Sequence, residues 1–221
     1  MRVLVILASA ALCAGAAWPS DLAVNPGPGG AVAAVEAEVD AGLELKYDTG
    51  TRSYLSISFY GADHWYGNDF DISQFSEYRG VMNIKVFSDP GWPQPGWNGF
   101  NVAIFDFVGS VPASILWGPK FVKPRRTTPG WCKFTVNWTL PAGNDRFVAA
   151  MEQYYDYPEC DCFAQDDNPT SAGHSWQYFN DAWVPYGGTY GYKNLMVRVI
   201  VNNATVSVTP TSLGRVKSLY Y

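Results

Sequence analysis

Residues 132–140 read CKFTVNWTL, and their alternation decides the fold. Cys132, Phe134, Val136, Trp138 and Leu140 fall on one side, and Lys133, Thr135, Asn137 and Thr139 on the other. A period of two is the signature of a strand, because successive side chains leave a pleated backbone on opposite faces. One apolar and one polar face is what an antiparallel sheet with a single buried side requires. The same reading places Cys132 on the buried side. Its thiol is therefore expected as core filling or as one end of an internal bridge, and not as an exposed nucleophile.

The pattern recurs outward from this stretch. SYLSISFY sets Leu55, Ile57 and Phe59 against Ser56 and Ser58, and VMNIKVF sets Met82, Ile84 and Val86 against Asn83 and Lys85. FNVAIFDF sets Phe100, Val102 and Ile104 against Asn101 and Ala103. RFVAAMEQYY, HSWQYF, NLMVRVIVNN and TVSVTP continue the series, and no stretch holds a helical period. Turn residues separate these runs, so about seven to ten short strands predict an all-β, antiparallel β-sandwich of jelly-roll-like type.

The ends of the chain read differently. MRVLVILASAALCAGAA, residues 1–17, has a basic start, an apolar run and small residues in the order of a secretory signal peptide. Residues 18–45, with a PGPGG break, read as a leader or linker with at most an edge strand or helical turn. Residues 46–208 form the sandwich domain and residues 209–221 a C-terminal tail. No later segment has the length of a transmembrane helix, so the protein is expected outside the cell or at its surface.

Charge and cysteine content narrow the partners. A pI near 4.9 and a formal net charge of −5 argue against nucleic acid, which needs clustered Lys and Arg. KFVKPRR, residues 120–126, is the local exception; it would suit an anionic sugar or surface, and is read here as a solvated loop. Three cysteines follow the leader: Cys132, Cys160 and Cys162. Secretion favours oxidation, so a bridge from Cys132 to Cys160 or Cys162 is expected. A zinc site from these thiols and His174 lacks the usual Cys spacing.

Catalytic machinery is sparse. Only His64 and His174 could act as bases near neutral pH, and no G-x-S-x-G or H-E-x-x-H run is present. Both histidines are read as structural. The acidic loops around Asp69 and Asp71 and around Asp166 and Asp167 offer oxygen ligands for calcium, the one cofactor the sequence raises. The same loops would have to supply the paired carboxylates of a glycoside hydrolase.

Aromatic residues make up 16% of the chain and gather near turns and strand ends. Flat rings beside Asn, Asp and Gln suit the apolar faces of sugars, with the polar groups taking the hydroxyls. Trp65, Trp92, Trp97, Trp183 and Tyr186 are the candidate stacking platforms. Within PGWPQPGWNGF, Trp92 is the stronger of the loop pair, because Trp97 lies three residues before the first inward side chain.

The runs FDISQFSEYRG, WNGFNVAIFDF, ILWGPKFVKP, GWCKFTVNWTLPAG, RFVAAMEQYY, NPTSAGHSWQYF and NLMVRVIV together resemble a β-sandwich domain of large secreted or surface proteins of bacteria. The resemblance spans residues 47–203 and implies a jelly-roll, carbohydrate-binding-module-like accessory without catalysis; it supplies no site residues. The expected function is a secreted module that binds a polysaccharide or other cell-surface component. The alternative is a surface-assembly protein that self-associates through edge strands.

Overall fold

The computed structural model describes residues 24–26, 42–58, 61–75, 77–167, 173–187 and 194–202. The signal-peptide and tail assignments, TVSVTP, Phe59, and most of the leader lie outside them. In chain order the strands are β1 (Val24–Pro26), β2 (Leu43–Leu45), β3 (Tyr54–Ser56), β4 (His64–Asp71) and β5 (Gly80–Ser88). Next come β6 (Phe100–Val108), β7 (Val111–Val122), β8 (Gly130–Thr139), β9 (Arg146–Gln153) and β10 (Phe163–Asp166). β11 (Ser175–Phe179), β12 (Ala182–Pro185), β13 (Asn194–Leu195) and β14 (Val197–Asn202) complete the set. Strands β1, β2, β3 and β13 hold only two or three residues each, too few for an alternation to register in sequence. Among the described residues the only helix is a short 3-10 turn, Ser73–Phe75, and no helix is long and apolar enough to cross a membrane.

The protein is an antiparallel β-sandwich. One layer is a six-stranded sheet ordered β12-β11-β4-β9-β6-β7. Facing it are two four-stranded sheets, β2-β14-β5-β8 and β1-β3-β10-β13. Main-chain bonds link these two, from Phe87 N–H to Met196 O at 3.1 Å and from Met196 N–H to Ala164 O at 2.9 Å. Two hairpins are closed by tight two-residue turns in the left-handed region. Gly109 and Ser110 (φ 60° and 73°) join β6 to β7, and Asn180 and Asp181 (φ 51° and 59°) join β11 to β12.

The main core lies between the layers. Tyr66, Phe70, Phe147, Met151, Phe100 and Ile104 come from the six-stranded sheet, and Ile84, Val86, Val136 and Val199 from the opposite one. β8 alternates as its sequence predicts, with Cys132 and Val136 buried and Lys133, Thr135, Asn137 and Thr139 exposed. β5 departs from expectation at one point. The register against β8 slips between Val81 and Asn83, so Val81 enters the core where Met82 was expected. An extra residue in one strand reverses the facing of everything before it.

The expected disulfide is not formed. Cys132, Cys160 and Cys162 are all unbridged and buried. Cys162 Sγ faces the Ser88 hydroxyl and the Asp89 carbonyl at 3.6 Å each, and Cys132 Sγ points to the Gly130 carbonyl at 3.9 Å. Burial pushes each thiol up to about 12, so all three remain neutral and inert as nucleophiles.

Candidate functional site

The six-stranded sheet has a second apolar face, turned away from the sandwich core. Trp65, Ala103, Phe105, Val148, Ala150 and Trp176 are buried there, with Phe107, Tyr178 and Trp183 packed against them. Trp183 on β12 and Phe105 on β6 stand four strands apart, about 19 Å in a flat sheet. Their ring centroids are nevertheless 5.0 Å apart. Phe107 on β6 meets Trp176 on β11 at 5.5 Å in the same way. The sheet therefore curls, and its outer face is a concave bowl. Gly67 floors that bowl, because a Cβ there would lie 2.4 Å from the Ala149 carbonyl and 2.6 Å from the Ala150 methyl.

Strand register sets one row of side chains across this face. Trp183 pairs with Tyr178, Tyr178 with Trp65, Trp65 with Glu152, Glu152 with Asn101 and Asn101 with Phe121. Cross-strand partners share a face, so six residues from six strands form one line. Its aromatic end is filled in: Trp65 is 8% exposed and meets Phe105 edge-on at 5.0 Å. Its other end is open. Phe121 is 46% exposed and Tyr154 45%, their rings 5.3 Å apart, and Tyr155 follows Tyr154 at 5.0 Å.

Between the two ends sits a polar pair. Asn101 Nδ2 donates to Glu152 Oε2 at 2.6 Å. Burial raises the Glu152 pKa above the usual carboxylate range; the Asn101 hydrogen bond opposes this and Asp63 adds to it. A carboxyl with a raised folded-state pKa contributes stability that is present below its ordinary pKa and lost as pH rises through the shifted value. Glu152→Gln is therefore expected to match or exceed the parent in melting temperature at pH 7, with the gap closing towards pH 4. Melting curves at the two pH values check this. A variant equally weaker at both would show that the charge is not what the site pays for.

The loop that carries the exposed tyrosines is braced. Ala62 N–H donates to Asp156 Oδ1 at 2.7 Å, and Gly99 N–H to Asp161 Oδ2 at 2.6 Å. Asn98 Nδ2 donates to the Glu159 carbonyl at 2.6 Å. Gly99 has φ +101°, and a Cβ on it would lie 2.5 Å from Phe121 Cζ, so glycine lets that ring lie against the chain. Burial raises the Asp161 pKa, against the two backbone N–H groups that lower it.

The platforms expected from sequence are dispersed. Trp65 and Trp183 share the bowl and the row. Tyr186 is half-buried and meets Tyr66 and Phe163 edge-on at 6.1 and 6.2 Å, as part of the sandwich core. Trp92 packs on a second cluster that includes Leu55, Phe87 and Trp131. Its loop is tied by Gly96 N–H to Pro90 O at 2.7 Å and by the Arg52–Asp89 ion pair at 3.0 Å. Trp97 is half-buried and donates from Nε1 to the Arg126 carbonyl at 2.6 Å. Phe121, Asn101 and Glu152, which the structure brings onto the same row, are not among the platforms expected from sequence. Their only sequence signal is a strand ending, at EQYY, in paired aromatics ahead of an acidic loop.

The acidic residues raised for calcium are engaged elsewhere. Asp69, wholly buried, accepts from Arg146 Nη2 at 2.7 Å and Trp176 Nε1 at 2.8 Å. Asp71 accepts from Ser73 N–H, Asp166 from Thr49 N–H and Oγ1, and Asp167 from Ser53 Oγ. Among the described residues no three His, Cys, Asp or Glu side chains gather as a metal site. His64 Nδ1 lies 2.8 Å from the Ala62 carbonyl, and His174 stacks on Tyr47 at 3.9 Å.

No family model matches the chain. Its sequence is 24% identical to Bacillopeptidase F of Bacillus subtilis (strain 168) over 164 residues, covering 72% of this chain and 11% of that protein. Its fold is similar to a crystal structure of the cysteine protease and lectin-like domains of Cwp84, a surface layer associated protein of Clostridium difficile. That match has a TM-score of 0.50 and 14% identity, over 68% of this chain and 33% of the other. A structure of a variant of the clostridial cysteine protease Cwp84 after propeptide cleavage gives a TM-score of 0.49 and 15% identity, over 65% of this chain and 37% of the other. The chain thus spans about a tenth of the first protein and a third of the second.

Proposed function

We propose that the chain is a non-catalytic, extracellular or cell-surface module that binds a saccharide at the open end of the aromatic row. The observation that carries this is the continuity of Phe121, Tyr154 and Tyr155 with the Asn101–Glu152 pair on one face. Exposed rings offer flat apolar surfaces to sugar C–H faces, while a fixed amide and carboxyl beside them take hydroxyls. The braced loop holds the rings at little ordering cost. An all-β likeness to a chain that includes a lectin-like domain supports the reading, as does the reading of residues 1–17 as a secretory signal.

Phe121→Ala and Tyr154→Ala are each expected to weaken retention on a matched neutral polysaccharide by about tenfold or more, as truncated hot-spot aromatics do. Affinity electrophoresis against a panel of glucans, xylans and mannans measures it. Trp92→Ala should instead lower stability and leave retention intact. If retention survives both substitutions in folded protein, the open row is not the site. Release of reducing sugar that vanishes in Glu152→Gln would replace binding with hydrolysis.

A further inference from the structure

We propose that the groove between the β7–β8 loop and β8 is a second binding site, for a polyanionic glycan bearing repeated carboxylate or phosphodiester groups. From Phe107 to Asn144 the chain carries Lys120, Lys123, Arg125, Arg126 and Lys133 and no acidic residue. In a chain of formal net charge −5 that is a concentrated positive island on one segment, β7 to β8, that crosses from the edge of one layer to the edge of the other. All five cations are exposed. Four of them line the groove, Lys123, Arg125, Arg126 and Lys133, with Trp131 and Phe134 as its apolar wall.

Four of the cations, Lys120, Lys123, Arg125 and Arg126, are not neutralised by a carboxylate among the described residues. Lys120 Nζ donates to the Thr135 carbonyl at 3.3 Å and Arg126 Nε to the Thr128 carbonyl at 3.5 Å. Among the described residues neither these two nor Lys123 or Arg125 forms an ion pair with a carboxylate. The loop itself is fixed: Pro124 is buried, Trp97 Nε1 grips the Arg126 carbonyl at 2.6 Å, and the Arg126 guanidinium lies against Gly130. Guanidinium groups on a fixed loop present a fork that matches carboxylate and phosphate oxygens, and pre-organisation lowers the cost of using it. A glycan fits better than nucleic acid. A duplex would lay its phosphates along the acidic remainder of the surface, whereas a saccharide chain can engage the groove alone, its sugar rings against the apolar wall.

None of the groove-lining residues belongs to the aromatic row, so the two sites are separable by mutation. The test is titration of the full chain, by calorimetry, with polygalacturonate, a phosphodiester-linked phosphomannan, neutral pullulan and duplex DNA. Binding to one or both anionic glycans is expected, weakening about tenfold or more between about 50 and 200 mM salt, with pullulan not affected by the groove. Arg125→Glu combined with Lys123→Glu should weaken it about tenfold or more and leave the near-ultraviolet spectrum and the neutral-glycan retention unchanged. Phe121→Ala should leave polyanion binding intact. Preference for polygalacturonate would identify carboxylate as the recognised group, and for phosphomannan the phosphodiester. The proposal is overturned if no anionic glycan binds, if the charge reversal changes nothing, or if duplex DNA binds more tightly than either.

Discussion

Asp69→Ala is expected to lower the free energy of unfolding by about 3–5 kcal/mol, the usual cost of breaking a buried charge pair. Asp69 stands on β4 with its carboxylate fully buried. It receives Arg146 Nη2 at 2.7 Å and Nε at 2.9 Å, Trp176 Nε1 at 2.8 Å and His174 Nδ1 at 3.3 Å. Arg146 in turn lies 4.0 Å over the Phe107 ring. Truncation leaves the indole N–H without its acceptor and frees the arginine that closes this end of the bowl. Because the Arg146 side chain is 38% exposed and can rehydrate, the loss should sit near the lower end of the range. Asp69→Asn keeps an acceptor for Trp176 and is expected to cost about 1–3 kcal/mol. Urea unfolding of the three proteins measures this. A rise in midpoint with millimolar calcium that disappears in Asp69→Ala would instead make this carboxylate a metal ligand.

Arg198→Ala should be at least as costly, because the partner it leaves behind is a buried carboxylate. Arg198 on β14 grips Asp48 with two bonds, Nη2 to Oδ1 at 2.5 Å and Nε to Oδ2 at 3.0 Å, and reaches Glu44 Oε2 at 3.2 Å. Its guanidinium lies 4.0 Å over Trp131. The Asp48 side chain is 0% exposed, so removing the arginine strands a carboxylate away from water, at a cost of about 3–5 kcal/mol. Glu44 keeps Lys85 at 2.7 Å and suffers less. Pairing Arg198→Met with Asp48→Asn removes both charges and should recover a large part of the loss. If the double variant is as unstable as the sum of the single ones, the interaction is not the source of the cost.

The two networks show where sequence reading stops. β8 was legible because it keeps one face apolar and the other polar over ten residues, whereas β6 and β9 are buried on both faces and read as strands by their apolar, β-favouring composition. β5 was legible only in part, since the slip at Val81/Asn83 changes which of Val81 and Met82 turns inward without changing composition. Asp48 and Arg198 are 150 residues apart, and nothing in either neighbourhood announces the other. The surroundings of the expected platforms were hidden for a similar reason. Tryptophans in a proline-rich loop drew attention to Trp92 and Trp97, yet the loop folds back on apolar neighbours that lie far away in sequence. Phe121 looked like one more apolar strand residue, and only its pairing with Asn101 shows that it stands beside a carboxyl group.

The row across the curled sheet also predicts how the protein tolerates change in length. Each of its six members comes from a different strand, and the turns between those strands contribute nothing to it. Loops such as the one after β8 can lengthen or shorten and leave this row in place. Deleting one residue from the middle of β9, by contrast, would swing Glu152 to the core side and bring a neighbour out in its place. Variation in this molecule should therefore accumulate as insertions at turns such as the one after β8, with the strands and the loops after β7 and β9 fixed in length.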